Sequence, residues 1–516
     1  MPGYTQDHRM IRVATPLGKD VLLLQGFRGQ EGVSELFRFD LSMHSENRSI
    51  ALDSLVGKKA TVTLVHDNGK ERHINGIVSS FSQGGSSPNF AYYQATIVPW
   101  PWLLTRTSDC RIFQNMSVPD IIQKIFQERN LTDFSNKLHG TYTPREYCVQ
   151  YRETAFNFIS RLMQEEGIFY FFQHAADKHT LVLADNLDEF KPCPNQASAR
   201  YESGAGTGVT QEVVTEWSYG QEVRPGKYAI TDFDFEQPTL DLMSSVDGQD
   251  ARKFEIYDFP GEFKTKDEGE RLVGLRMQEE DTPRLTAAGA STCRGFISGH
   301  RFKLQRHYRP DLNKDYVLTN VFHSADAGSN YDPASADSQS LAYSNQFQCI
   351  PHTTPYRPRR TAPVPVVHGT QTAVVVGPPG EEIYVDKYGR VKVQFHWDRE
   401  GKYDDKSSCW IRVSQNWAGK RWGAMFIPRI GQEVIVDFIE GDPDRPIITG
   451  RVYNGGSMPP YALPGEKTKS TIKSYSSKGG GGFNEIRFED LKGKEQIFVH
   501  AEKDEDKRVK NDRKEW

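Results

Sequence analysis

The sequence predicts a mainly β protein, β-rich with three helices, that ends in a small OB-like barrel followed by a stiff, charged β tail. Three observations carry this. Aromatic residues make up 11% of the chain, with 29 Phe and 22 Tyr, a usage that favours strands. Between residues 365 and 455 short strands alternate with turn residues. From Phe483 a second set of alternating strands begins and stays charged as far as Trp516. A barrel running directly into such a tail suits a mechanical object rather than an enzyme.

The N-terminal third supplies strands at residues 21–24, 36–41, 59–65, 72–81 and 92–98. The turn His66-Asp-Asn-Gly-Lys joins two of them, and Asn68-Gly69 is expected to supply the positive φ of a tight hairpin. Ser117 can cap a helix whose apolar stripe is Val118, Ile121, Ile122, Ile125 and Phe126. Thr154 can cap a second, with Phe158, Ile159, Leu162 and Met163 inward and Gly167 as its stop. Residues 168–172 then form a dense buried strand with residues 180–184 as its partner.

A second β region runs from Val213 to about Phe322, with strands at 228–235, 253–257, 299–305 and 316–323. Within it residues 267–280 are expected to be helical, with Leu272, Leu275 and Met277 as apolar positions. Residues 325–340 read as a loop, and the Pro- and Arg-rich stretch 351–365 as an extended linker. In the barrel, Val391, Val393, Phe395 and Trp397 alternate with Lys392, Gln394 and His396, a period-two strand. Residues 410–413 form another strand. In the third, Val434, Val436 and Phe438 alternate, although Ile435 and Ile439 make it apolar on both faces. Residues 447–452 close the unit, and about five strands in about ninety residues suit an OB-like barrel.

Length and composition bound the rest. At 516 residues the chain has room for three or more domains of ~100–200 residues. A net charge of −4 implies no nucleic-acid or anionic-membrane partner. No stretch approaches the ~20 apolar residues of a membrane span. Residues 1–10 are polar and the apolar run at 21–24 is too short for a signal core, so cytoplasmic synthesis and assembly without a signal peptide is the expectation. Six cysteines without CxxC spacing read as buried free thiols, not as a zinc site or a disulfide framework.

No catalytic, cofactor-binding or metal-ligating set stands out. His66/His73, His174/His179 and His300/His307 lack helical metal spacing and read as surface or strand-end histidines. Glu165-Glu166 reads as a solvated helix end, and Asp232, Asp234 and Glu236 as one exposed strand face. There is no GxSxG elbow, P-loop or HExxH, and the four glycines at 479–482 read as a hinge. Trp397, Trp410, Trp417 and Trp422 could stack on bases, but most of them read as strand-core or turn positions.

The tail poses a packing problem. Ile486 and Phe488 mark one strand, Ile497, Val499 and Ala501 another, around a turn near Lys492-Gly493. From Glu502 onward nearly every residue is charged. A monomer cannot bury so narrow a ladder, whereas three copies about an axis can, and they also protect its edges. A homotrimer is therefore expected, with Ile486, Phe488, Ile497 and Val499 as candidate trimer-interface residues.

Seven segments point to one family. Ile427-Pro-Arg-Ile-Gly-Gln-Glu-Val-Ile-Val-Asp-Phe with Glu440-Gly-Asp-Pro-Asp-Arg-Pro resembles the barrel signature of VgrG, the valine-glycine repeat spike of type VI secretion. Arg161-Leu-Met-Gln-Glu-Glu-Gly-Ile-Phe-Tyr resembles that family's N-terminal helix-to-strand motif. Phe233-Asp-Phe-Glu and Tyr257-Asp-Phe-Pro-Gly-Glu-Phe resemble its second hub segment. Asn484-Glu-Ile-Arg-Phe-Glu-Asp and His500-Ala-Glu-Lys-Asp resemble its β-helix entry.

The resemblance implies a homotrimer that fuses the hub and the puncturing needle of contractile phage tails. Residues 1–360 would be a hub of tandem β-barrels, 361–458 an OB-fold neck, 459–482 a linker, and 483–516 the start of an intertwined triple-stranded β-helix. The hub base would sit on an Hcp-like tube protein among baseplate components. Sheath contraction would drive the spike and its effectors through a target membrane. Family needles usually run well past the position of Trp516, so the segment that binds a PAAR-type tip protein and effectors is expected outside this sequence. The hub-spike of a contractile phage tail or phage-derived particle is the alternative. A tail lysozyme inserted between barrel and needle is not expected, because the link at 456–482 is too short to hold one.

Overall fold

Strand Arg38–Ser45 shows how the first part of the chain is built: Phe39, Leu41 and Met43 are buried at every second position, while Arg38, Asp40 and Ser42 face outward. The computed structural model describes residues 4–7, 9–203, 212–249, 254–327, 331 and 342–516. It divides the chain into two units. The first comprises Met1–Ser108, Ser117–Pro144 and Glu153–Val364; the second comprises Asp109–Met116, Arg145–Arg152 and Pro365–Trp516.

The first unit is organised on a twelve-stranded sheet. Its main path runs Ile11–Ala14, Lys59–Val65, Glu71–Ser86, Ala91–Val98, Arg38–Ser45, Leu23–Gly32, Asp315–Asp326, Ala342–Pro351, Leu285–Ser291 and Val214–Gln221. Strands from both β regions expected from sequence thus share one sheet, joined where Leu23–Gly32 pairs antiparallel with Asp315–Asp326. Register shifts at Leu24/Gly26, Val78/Ser80 and Leu318/Asn320 bend the long strands. At Gly29 the strands approach so closely that a Cβ would lie 2.1 Å from the Phe39 ring.

Helices α1 (Val118–Glu128) and α2 (Ala155–Glu165) begin where expected. The Ser117 and Thr154 side chains accept from the backbone N–H of Asp120 and Asn157, and the expected apolar stripes are buried. Strand Phe169–His174 pairs with His179–Ala184, as anticipated. In the hairpin at 66–70 Gly69 adopts φ 77°; Asn68 is not among the positive-φ residues and instead accepts from the Lys70 N–H through its side chain.

Helix α3 (Lys266–Asp281) covers a three-stranded sheet of Ser244–Asp247, Lys227–Ile230 and Glu255–Asp258, with Val273 and Met277 fully inward and Leu272 and Leu275 half-buried. The strand expected at 228–235 stops at Ile230. Asp232, Asp234 and Glu236 therefore do not line a strand face; Asp234 closes a turn by accepting from the Glu236 N–H at 2.9 Å, and Asp232 accepts from the Glu262 N–H at 2.6 Å. The stretch 351–365 is extended as expected but not loose. Arg357 donates to the carbonyls of Gly167 and Asp185 at 3.0 and 2.7 Å. Lys253 and most of the 325–340 loop lie outside the described residues.

The second unit holds a five-stranded sheet in the order Lys392–Phe395, Gln371–Val376, Glu433–Phe438, Pro446–Val452 and Arg412–Val413. A bridge between Val391 and Ile411 joins the two outer strands and closes the ring. Val391, Val393 and Phe395 fill the interior with Val434, Val436 and Ile448, as the alternation requires. Tyr147 and Val149 complete this core from an early part of the chain. The barrel therefore borrows residues 109–116 and 145–152 across a gap of more than two hundred residues in sequence.

Beyond the barrel lies a three-stranded antiparallel sheet of Lys469–Lys473, Glu485–Glu489 and Gln496–His500. The stretch 459–482, read from sequence as a link, thus contributes a strand of its own. Gly493, at φ 82°, makes the expected turn between the other two.

Candidate functional site

Two faces of the tail sheet differ sharply in chemistry. On one, Ile486 lies opposite Val499 and Phe488 opposite Ile497. The third strand adds Ile472 opposite Ile486. These side chains are exposed, up to 72% for Ile497. On the other face Glu485 is buried, accepts from Thr471 Oγ1 at 2.7 Å and is bonded by the Tyr461 hydroxyl. Arg487 there donates to Tyr461 Oη at 2.8 Å and to Gln496 at 2.9 Å, with its guanidinium over the Phe498 ring. The polar face is tied together by these hydrogen bonds, whereas the apolar side chains on the opposite face are exposed. All four candidate interface residues fall on that apolar face; Ile472 was not anticipated.

The sequence motifs of the barrel have structural work. In the segment beginning at Ile427, Arg429 donates to Glu382 at 2.7 Å and to the Tyr475 carbonyl at 2.7 Å, fastening the barrel to the entry of the tail. In the segment beginning at Glu440, the left-handed Glu440 and Gly441 make the turn. Asp444 there accepts from the Val149 N–H at 2.6 Å, which seats the borrowed strand. In the first unit, Arg161 of the helix-to-strand motif is buried and pairs with Glu153 at 3.0 Å.

His174 ends one strand and His179 opens the next, so that pair sits at strand ends as read. The surface reading fails for His66, His179, His300 and His307, which are buried with polar partners, while His73 and His174 are half-buried. His66 Nδ1 lies 3.1 Å from Glu212. Burial pushes His174 down to about 4 and His179 down to about 3. Deeper in the same unit Arg72 pairs with Glu31 at 2.6 Å, and His323 Nε2 reaches the same carboxylate at 2.9 Å. Burial pushes the Glu31 carboxyl up, but Arg72 and His323 outweigh it and hold it at about 2. Glu166 is buried beside Arg271 at 2.9 Å rather than solvated, because helix α3 packs over that helix end.

Among the described residues no group of three or more His, Cys, Asp or Glu could hold a metal ion, and all six cysteines are free. Trp397 stacks on Phe395 at 5.1 Å, and Trp410 lies tilted against Tyr384 at 4.8 Å. Trp417 and Trp422 sit on an exposed hairpin.

Three segments of the chain match family models. Residues 30–329 match the family described as phage tail baseplate hub (GPD). Residues 381–453 match the type VI secretion system/phage-baseplate injector OB domain, and residues 470–516 match the bacteriophage T4 gp5 C-terminal trimerisation domain. The type VI secretion system spike protein VgrG1b of Pseudomonas aeruginosa is 46% identical over 516 residues, covering 99% of this chain and 69% of that protein. The chain belongs to the VgrG family of type VI secretion spike proteins.

VgrG1a of the same organism is 46% identical over 509 residues, covering 98% of this chain and 79% of that protein. Among solved structures, the E. coli c3393 protein, a type VI secretion component, superposes with a TM-score of 0.61 at 23% identity, over 86% of this chain and 100% of that one. A chain of the half-lidded Francisella PdpA-VgrG complex gives 0.59 at 10% identity, over 96% of this chain and 88% of that one. Both show the fold. As a VgrG protein the chain is a hub and spike, a structural part of a type VI secretion system.

Proposed function

We propose that three copies of this chain assemble through the apolar faces of their tail sheets into the root of a needle. Ile486, Phe488, Ile497 and Val499 turn toward the axis and the charged face turns toward solvent. The exposed apolar face is the observation that carries this reading. Residues 1–360 serve as the hub, 361–458 as the OB-fold neck and 483–516 as the start of the β-helix. The hub caps an Hcp-like tube within the baseplate. The needle beyond carries a PAAR-type tip protein and effectors, and sheath contraction drives the assembly from the cytoplasm through a target membrane. Stiffness is the property this needs, and an interchain ladder supplies it.

The test is co-purification of the chain with an Hcp-like ring protein. A complex of one trimer per ring supports the reading. A trimer that never associates with such a ring contradicts the capping role.

A further inference from the structure

In the first unit, strands Glu71–Ser86 and Phe169–His174 and the stretches 191–195 and 297–300 enclose a cavity of about 310 Å³. That volume stands at the small end of the ~300–1,000 Å³ range of small-molecule sites. Its lining is of two kinds. Phe172, Pro192, Pro194 and Ile297 supply apolar surface, and Arg72, His174 and Lys191 supply nitrogen donors. Glu71, the one carboxylate among the lining residues, is already held by Arg12.

Two of the nitrogens lack an acceptor among the described residues. Arg72 is only 5% exposed. It donates through Nη1 to the Arg294 carbonyl at 2.8 Å and through Nη2 to Glu31 at 2.6 Å, while its Nε is buried without a partner. His174 Nδ1 accepts from the Asn75 N–H at 3.1 Å, which puts the ring proton on Nε2, and Nε2 is also buried without a partner. Lys191 is 59% exposed and donates to the Asp188 carbonyl at 2.7 Å, with two further ammonium protons to give.

A buried donor without an acceptor costs stability, so these atoms call for an acceptor-rich occupant. Water meets the donors but gains nothing from the apolar lining. A dianion such as phosphate finds too little free charge, since Arg72 is already paired with Glu31. A single carboxylate on a short aliphatic stem matches both kinds of surface. It also selects the His174 tautomer described, because the other, with Nδ1 donating to the Asn75 carbonyl, would turn an Nε2 lone pair toward it.

We propose that this cavity binds a small carboxylate through Arg72 Nε, His174 Nε2 and Lys191, with its aliphatic stem against Phe172 and Ile297. The same chemistry is offered by a free short-chain acid and by the C-terminus of a polypeptide. All the residues belong to one chain, so the site does not depend on assembly by threes.

The test is saturation-transfer NMR on the full chain with butyrate as the probe. Butyrate is expected to give a saturable signal, and butyramide, which has the same stem without the charge, is expected to bind at least about tenfold more weakly. Lys191→Glu should weaken butyrate by roughly fivefold. Gln173→Trp, at an exposed lining position, should close the cavity and abolish the signal. Both substitutions change exposed side chains, so the melting temperature should stay at that of the parent. A short peptide ending in valine, with its C-terminus free or amidated, separates the two sources. Binding of the free form tighter than butyrate, and lost on amidation, assigns the site to a chain terminus; tighter binding of butyrate assigns it to a free acid. No saturable butyrate signal below ~10 mM, equal binding of butyramide, tighter binding of inorganic phosphate, or affinities unchanged in both variants would each overturn the proposal.

Discussion

The backbone N–H of Trp100 donates to Nε2 of His179 at 2.8 Å. With that nitrogen accepting, the ring proton must sit on Nδ1, which lies 2.8 Å from Asn75 Oδ1. One neutral imidazole therefore joins the 3₁₀ turn that opens at Trp100, strand Glu71–Ser86 and strand His179–Ala184. Protonating Nε2 would set two donors against each other.

A pH dependence follows. His174 and His179 have folded pKa values depressed below the ordinary 6.5 by burial. The unfolded chain then binds protons first, so this stability is complete above about pH 6.5 and is lost as pH falls toward about 4 and about 3. Glu31, depressed from 4.5 to about 2, adds a loss of the same sign below about pH 4.5. The melting temperature of the first unit should fall steadily from pH 7 to pH 4. His179→Gln, which keeps an acceptor for Trp100 but does not titrate, should make the slope shallower. A flat profile, or an unchanged slope in the variant, would contradict this.

The Glu31–Arg72 pair should behave as a buried ion pair. Arg72→Met leaves a buried carboxylate without its main partner and should destabilise the first unit by about 3–5 kcal/mol. Adding Glu31→Gln should recover much of that. Denaturation midpoints of the two variants decide the matter: if the double variant is no more stable than the single one, the charge is not the cause.

The two faces of the tail should respond differently. Ile497→Asp places three carboxylates near one axis, forfeiting ~1.5–3 kcal/mol of burial per chain and adding repulsion and desolvation. It should lower the melting temperature and weaken the trimer. Lys503→Asp, on an exposed position, should change neither. Equal behaviour of the two variants would mean that the segment is not the root of a needle.

Purified chain should hydrolyse neither peptidoglycan nor lipid. Robust activity abolished by a single substitution would contradict the assignment as a structural spike.

What the sequence made legible was local. Ser117 and Thr154 announce helices because a cap is a one-turn interaction, and the 391–397 alternation announces a strand because its inner face is dry. What it hid was long-range. Nothing near residue 149 signals that its N–H will meet Asp444, and nothing near residue 26 signals a partner at 326. The strand Lys469–Lys473 escaped notice because Ile472 is its only large apolar residue, and it is exposed. His174 and His179 were legible as strand ends, but the burial of His66, His179, His300 and His307 was not, because polar rings on inward positions break the apolar alternation and the Trp100 N–H that satisfies His179 comes from a different element. The tail face was legible in residue type, since Ile486, Phe488, Ile497 and Val499 sit at period-two spacing, and incomplete only in lacking Ile472.

The central claim, assembly by threes, is tested most directly by the solution mass of the intact chain from light scattering. One chain weighs 58.7 kDa, and the account predicts a stable species near three times that mass. A stable mass near that of a single chain, at concentrations where the protein is folded, would contradict it.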